Sequence, residues 1–197
     1  MPTLRVTKNG LPVCTVGSGD VWMFSASVHA DVWGPERSAL TVTGGGKRRP
    51  DGTADFLIWQ MHHELQPGDQ LLFAFEEGTA SSPKGELFVD EEDSDTPRND
   101  FVSPLPEDEV VHMEARPKLN ATCRWQFKCD EIELTASIEE VRQNLSLHLL
   151  WNEMRPHRMR VSLTQNSLRE IVSRSGGAQL HLSYVEVGAS VAVHVET

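Results

Sequence analysis

The chain has 197 residues, of which 39% are apolar and 24% charged, and a formal net charge of −11. That length and composition suit a globular protein with a sizeable core, as one domain or two small ones, and not a disordered or fibrous chain. The acidic balance works against nucleic acid and anionic membrane surfaces as partners, and no run approaches the roughly 18 apolar residues of a membrane span.

The amino terminus, Met1-Pro2-Thr3, leads straight into alternating apolar and polar residues without a basic and then apolar leader, so a cytoplasmic protein is expected. Strands are expected over 4–8 and 11–16, joined by Asn9-Gly10, whose residue types tolerate the positive φ angles of a two-residue hairpin. A third strand over 21–30 places Trp22, Phe24, Ala26 and Val28 on one face and Met23, Ser25, Ser27 and His29 on the other. Strand 38–43 follows, and the glycines, proline and charges of 44–52 read as a long turn. Strands 55–62 and 70–76 flank Pro67-Gly68. The second of them puts Leu71, Phe73 and Phe75 on one side, in an N-terminal core with Trp22 and Phe24.

Residues 76 to 109 carry twelve acids and two bases, a net of −10, whereas 1–75 carry seven acids and six bases and 110–197 carry ten of each. Within this stretch, 90–109 has three prolines, many carboxylates and few apolar residues, so a mobile linker or loop is expected. Beyond it, strands are expected over 122–128, 131–137, 144–151, 158–164, 178–185 and 189–195. One short helix lies near 166–175, with Asn166 or Ser167 able to cap its start and Gly176-Gly177 able to end it. The fold class is therefore mainly β, with antiparallel sandwich-like sheets. The halves are a β-rich N-terminal subdomain over 1–88 and a β-rich C-terminal one over 110–197, joined by the acidic linker 89–109, or else one elaborate sandwich.

The first 77 residues resemble a group of small, uncharacterised bacterial proteins. The likeness rests on the order of "NGLPVCTVG" (9–17), the Trp22–Val28 strand, "LTVTGG" (40–45) and "LQPGDQLLFAFEE" (65–77). It implies an accessory or immunity role beside secreted toxins or other conflict systems, and supplies no activity to carry onto individual residues.

Chemistry-bearing motifs are few. His62-His63-Glu64 lies in a strand, where adjacent histidines face opposite ways, and His62 with Glu64 is two ligands without a third, so no metal site is expected. Cys14 stands alone, and Cys123 and Cys129 lack C-x-x-C spacing. They read as buried thiols, and a bridge between the last two requires that they face each other across a bend. No G-x-S-x-G elbow occurs, and neither "GSGD" (17–20) nor "GGGKRRP" (44–50) has P-loop spacing, so no catalytic residue and no cofactor is expected. The run "DEEDSD" (90–95) lacks the glycine of a calcium loop. The basic cluster "RPHRMR" (155–160) is suited to a carboxylate partner or to the chain's own acidic segment. The tail "SVAVHVET" reads as a strand to its end, which argues against a conjugated ubiquitin-like modifier.

These features suggest a non-enzymatic protein-binding module, in its most specific form an immunity-type protein masking a basic toxin or effector. Asp90, Glu91, Glu92, Asp93, Asp95, Glu107, Asp108 and Glu109 are the expected partner-binding residues. An accessory component of a bacterial assembly or defence system, and an unrecognised hydrolase, are the alternatives.

Overall fold

A computed structural model describes residues 1–34, 37–47, 49–88, 106–120 and 122–196. In chain order the elements are β1 (Pro2–Lys8), β2 (Leu11–Gly17), β3 (Val21–Asp31), β4 (Ser38–Gly46), β5 (Phe56–Leu65), β6 (Gln70–Glu77), β7 (Glu86–Leu87) and α1 (Glu107–Glu114). They continue with β8 (Arg124–Cys129), β9 (Ile132–Ser137), β10 (Asn144–Asn152), β11 (Arg158–Asn166), α2 (Leu168–Ser173), β12 (Ala178–Glu186) and β13 (Ser190–Glu196). The protein is mainly β, as its alternating sequence requires.

The strands form two antiparallel sheets. The first has the order β2-β1-β6-β13-β8-β9 and the second β12-β11-β10-β3-β4-β5-β7. Strands from both sides of the acidic segment pair within each: β6 with β13 in the first sheet, β3 with β10 in the second. The halves 1–88 and 110–197 therefore share both sheets and one core, the arrangement of a single sandwich.

Alternation supplies that core. One sheet contributes Leu4, Val6, Phe73, Phe75, Trp125, Phe127 and Val193, and the other contributes Phe24, Val28, Leu40, Leu147, Leu149, Val161 and Leu163, all buried. Across the interlayer Phe24 of β3 lies edge-on to Phe75 of β6 at 6.5 Å, and within its own sheet it stacks on its cross-strand partner Trp151 of β10 at 4.9 Å. Such ring contacts add to the main source of stability here, the apolar area removed from water.

The crossings between sheets are held by polar anchors. Asn9 and Gly10 take φ of 54° and 77° in the β1–β2 turn, as expected. Asn9 then bonds the β5–β6 turn: its Nδ2 donates to Asp69 Oδ1 at 2.7 Å and its Oδ1 accepts from the Gln70 amide at 2.8 Å. Asp69 is buried and also accepts from the Gln66 amide at 2.8 Å and pairs with Lys8 Nζ at 2.8 Å. Burial alone would raise the Asp69 carboxyl, but bonds from Lys8, Gln66 and Asn9 hold it below the ordinary range. Backbone bonds from Gly68 to Val195 and from Val195 to Asp69 fasten the same turn to β13.

Several expectations are corrected. Trp22 is half-buried and off the core face. The register of β3 slips between Val21 and Met23, so Val21 and Phe24 both point inward and the indole is turned out. Gly44, Gly45 and Gly46 lie in β4, not in a turn. A Cβ on Gly45 would come within 2.4 Å of Trp22 Nε1, so this strand position is glycine because the indole lies on it. The tail end of the expected linker is helical, since residues 107–109 open α1, giving two short helices among the described residues where one was expected. The α2 helix ends at Arg174, with φ 53°, before the two glycines. Its start follows the sequence: Ser167 Oγ accepts from the Glu170 amide while Glu170 bonds the Ser167 amide, a reciprocal capping box. Among the described residues no helix is long and apolar enough to cross a membrane.

Candidate functional site

The expected partner-binding residues divide in two. Asp90, Glu91, Glu92, Asp93 and Asp95 lie outside the described residues, as does most of the expected mobile loop. Glu107, Asp108 and Glu109 form the exposed first turn of α1, behind Pro106 at the N-cap. Pro106 fixes the entry φ, and three carboxylates complement the positive end of the helix dipole, which explains locally why this stretch is helical. Buried Val110 seats the helix on the body.

Arg169 of α2 fixes the helix orientation. Its Nε and Nη2 each donate to one oxygen of Glu114 at 2.9 Å, and its Nη1 donates to Glu107 Oε1 at 2.7 Å. Those two carboxylates raise the Arg169 pKa further. Glu107 is thus partly engaged in folding. Asp108 and Glu109 have no ion-pair partner among the described residues, and with His112, Met113 and Arg116 they line a shallow hollow along α1.

Elsewhere the pattern is different. Glu76 is bonded to Arg5, Asp55 to Arg49 at 2.5 Å, Glu133 lies 3.5 Å from Lys128, and Glu170 lies 3.5 Å from Arg142. Bonds from Arg5 hold the Glu76 carboxyl below its ordinary range. These four carboxylates are thereby tied to neighbours, whereas Asp108 and Glu109 face solvent.

Two sheet surfaces also offer room. On the outer face of the first sheet, Thr7, Leu72, Ala192 and Lys128 stand opposite one another on successive strands. With Gln70, Gln126 and His194 they line an open trough of about 520 Å³. The outer face of the second sheet carries Ser25, Ser27, His148 and Ser162, and Ser25 Oγ lies 2.8 Å from His148 Nε2. Burial, and secondarily the charge of Arg160, lowers the His148 pKa, which favours the neutral imidazole. A hydroxyl bonded to a neutral imidazole is two thirds of a nucleophilic triad. Among the described residues no carboxylate bonds His148, and the nearby charge is a cation, which disfavours the imidazolium that such catalysis needs.

The three cysteines are free and buried, with no bridge between Cys123 and Cys129. Burial pushes the Cys14 thiol up to about 12 and raises the other two, so these sulfurs are poor nucleophiles. A kink at His62, φ 50°, breaks the alternation assumed for His62-His63-Glu64 and turns the His62 ring edge-on to His29 at 5.8 Å. Among the described residues no three His, Cys, Asp or Glu side chains are grouped to hold a metal ion.

Sequence reasoning missed α1, although proline followed by Glu-Asp-Glu and an apolar pair is a helix-start pattern. It also missed the Ser25–His148 contact, which joins residues on strands far apart in sequence. No family model matches the chain, and no curated protein or solved structure matches it.

Proposed function

We propose that this chain is a non-enzymatic protein-binding module of immunity type, which masks a basic toxin or effector through its acidic segment. One observation carries this reading. Of the net charge of −11, −10 falls within residues 76–109, and Asp108 and Glu109 there face solvent with no ion-pair partner among the described residues, whereas Glu107 is held by Arg169. Unpaired surface carboxylates contribute little to folding, but they accelerate encounter with a basic surface and discriminate against acidic ones.

The test is affinity capture from the native host with wild type and with a variant in which Asp90, Glu91, Glu92, Asp93, Asp95, Asp108 and Glu109 are replaced by Asn or Gln. Glu107 stays, because it holds Arg169. A basic protein retained by wild type and lost by the variant supports the reading. Retention by both, or capture of acidic proteins only, overturns it.

The hydrolase alternative rests on Ser25 and His148. Ester or amide turnover that disappears in Ser25→Ala with an unchanged melting temperature would favour it.

A further inference from the structure

We infer that the chain pairs with a second copy of itself through β12, so that two seven-stranded sheets become continuous across a two-fold axis at Ser183. This goes beyond the proposed function and does not depend on it. The sheets end in β2, β9, β7 and β12. Unpaired edges invite another strand, and most proteins block them with a cover, a charge, a proline or extreme shortness. Here β2 is covered by Ser82, which exchanges backbone bonds with Thr15 at 2.8 and 2.9 Å. Strand β7 has two residues. Strand β9 carries Glu133 and follows Asp130-Glu131. Strand β12 has nine residues, no proline and one charge, Glu186, at its last position. Among the described residues no strand pairs with its open side.

The occupant follows from register. A bulge at Leu180 leaves His181–Glu186 as the regular part of β12, with His181, Ser183 and Val185 turned toward the core side. Leu182 and Tyr184 point outward, each 48% exposed. Antiparallel self-pairing must match outward with outward residues, which restricts the centre of symmetry to a residue and not a peptide bond. Centred on Tyr184, the pairing sets Leu182 against Glu186. Centred on Leu182, it sets Tyr184 against the bulged residue. Centred on Ser183, Leu182 of each copy meets Tyr184 of the other, and His181 meets Val185. Aromatic–aliphatic pairs of this kind stabilise antiparallel strands.

The acidic excess of the chain lies in 76–109 and not at this edge, where Arg158 of β11 stands opposite Glu186, Arg160 stands opposite Tyr184, and the Arg155 guanidinium lies 5.9 Å over the Tyr184 ring. The same surface on both copies is what a closed two-fold dimer requires.

The experiment is sedimentation from about 1 to about 500 μM, with thiol crosslinking under mild oxidant. Native thiols are buried, so introduced ones report alone. Wild type should shift from its 22.0 kDa chain mass toward twice that value as concentration rises. Leu182→Lys should stay monomeric with an unchanged melting temperature. Leu182→Cys mixed with Tyr184→Cys should form a crosslinked dimer that neither forms alone. A monomer at every concentration, or crosslinking no greater in the mixture than in either variant alone, overturns the proposal.

Discussion

Phe73→Ala probes the interior most severely. Phe73 is fully buried in β6, opposite Val6 of β1 on one side and Val191 of β13 on the other. Truncation removes the ring from a site where strands of both halves of the chain meet, and neighbours held in the ladder cannot collapse into the space. Phe→Ala changes in such cores cost about 3–5 kcal/mol through lost transfer energy and residual cavity. For a domain of this size each kcal/mol lowers the midpoint by about 2–4 °C, so a fall of roughly 6–20 °C is expected. Against a total stability of about 5–15 kcal/mol this loss leaves about 0–12 kcal/mol, so a variant that does not fold at all also marks Phe73 as core. Thermal unfolding followed by circular dichroism, with urea titration for the free energy, is the assay. A midpoint within about 1 °C of wild type would refute the packing described here.

Three further outcomes are expected. Ser167→Ala removes the capping box of α2 and should cost about 1 kcal/mol, with faster amide exchange confined to 168–173; unchanged exchange there contradicts the cap. Asp69→Asn weakens the anchor to Lys8, Asn9 and Gln66 by about 1–3 kcal/mol. Because the folded Asp69 pKa is depressed, that difference should be complete at pH 7 and shrink as pH falls below the ordinary value of 3.8, whereas a constant difference in acid refutes it. Burial lowers the folded pKa of both His148 and His181, so the unfolded chain takes up protons first and stability should fall as pH drops below about 6.5. His148→Gln should flatten the melting temperature between pH 7.5 and 5.5, and an unaltered slope in the variant excludes the assignment.

How far the sequence speaks for the structure depends on the range of the interaction. Period-two alternation located the strands, because a strand with one buried face must alternate and the twelve expected strands all occur within a few residues of their expected ends. Asn9-Gly10 and Ser167…Glu170 were legible because turn and cap chemistry is local. Trp22 was not, since its direction depends on a register slip against β4. Gly44–Gly46 read as a turn for want of any sign that an indole covers Gly45. Of the candidate site, its charge was visible in composition alone, whereas the bonds from Arg169 to Glu107 and Glu114 join segments more than fifty residues apart. Likewise, the exposed pairing edge of β12 follows from sheet order, which alternation does not specify.

The most direct test of the acidic segment as a steering surface is stopped-flow association with the captured partner, at low and at physiological salt. Exposed charges act over about 10 Å at 0.1 M salt, so wild type should associate much faster at low salt and lose that advantage as salt rises. The variant neutralised at Asp90, Glu91, Glu92, Asp93, Asp95, Asp108 and Glu109 should associate slowly in both buffers, with a melting temperature close to wild type. Equal association rates for the two proteins at low salt would contradict the account.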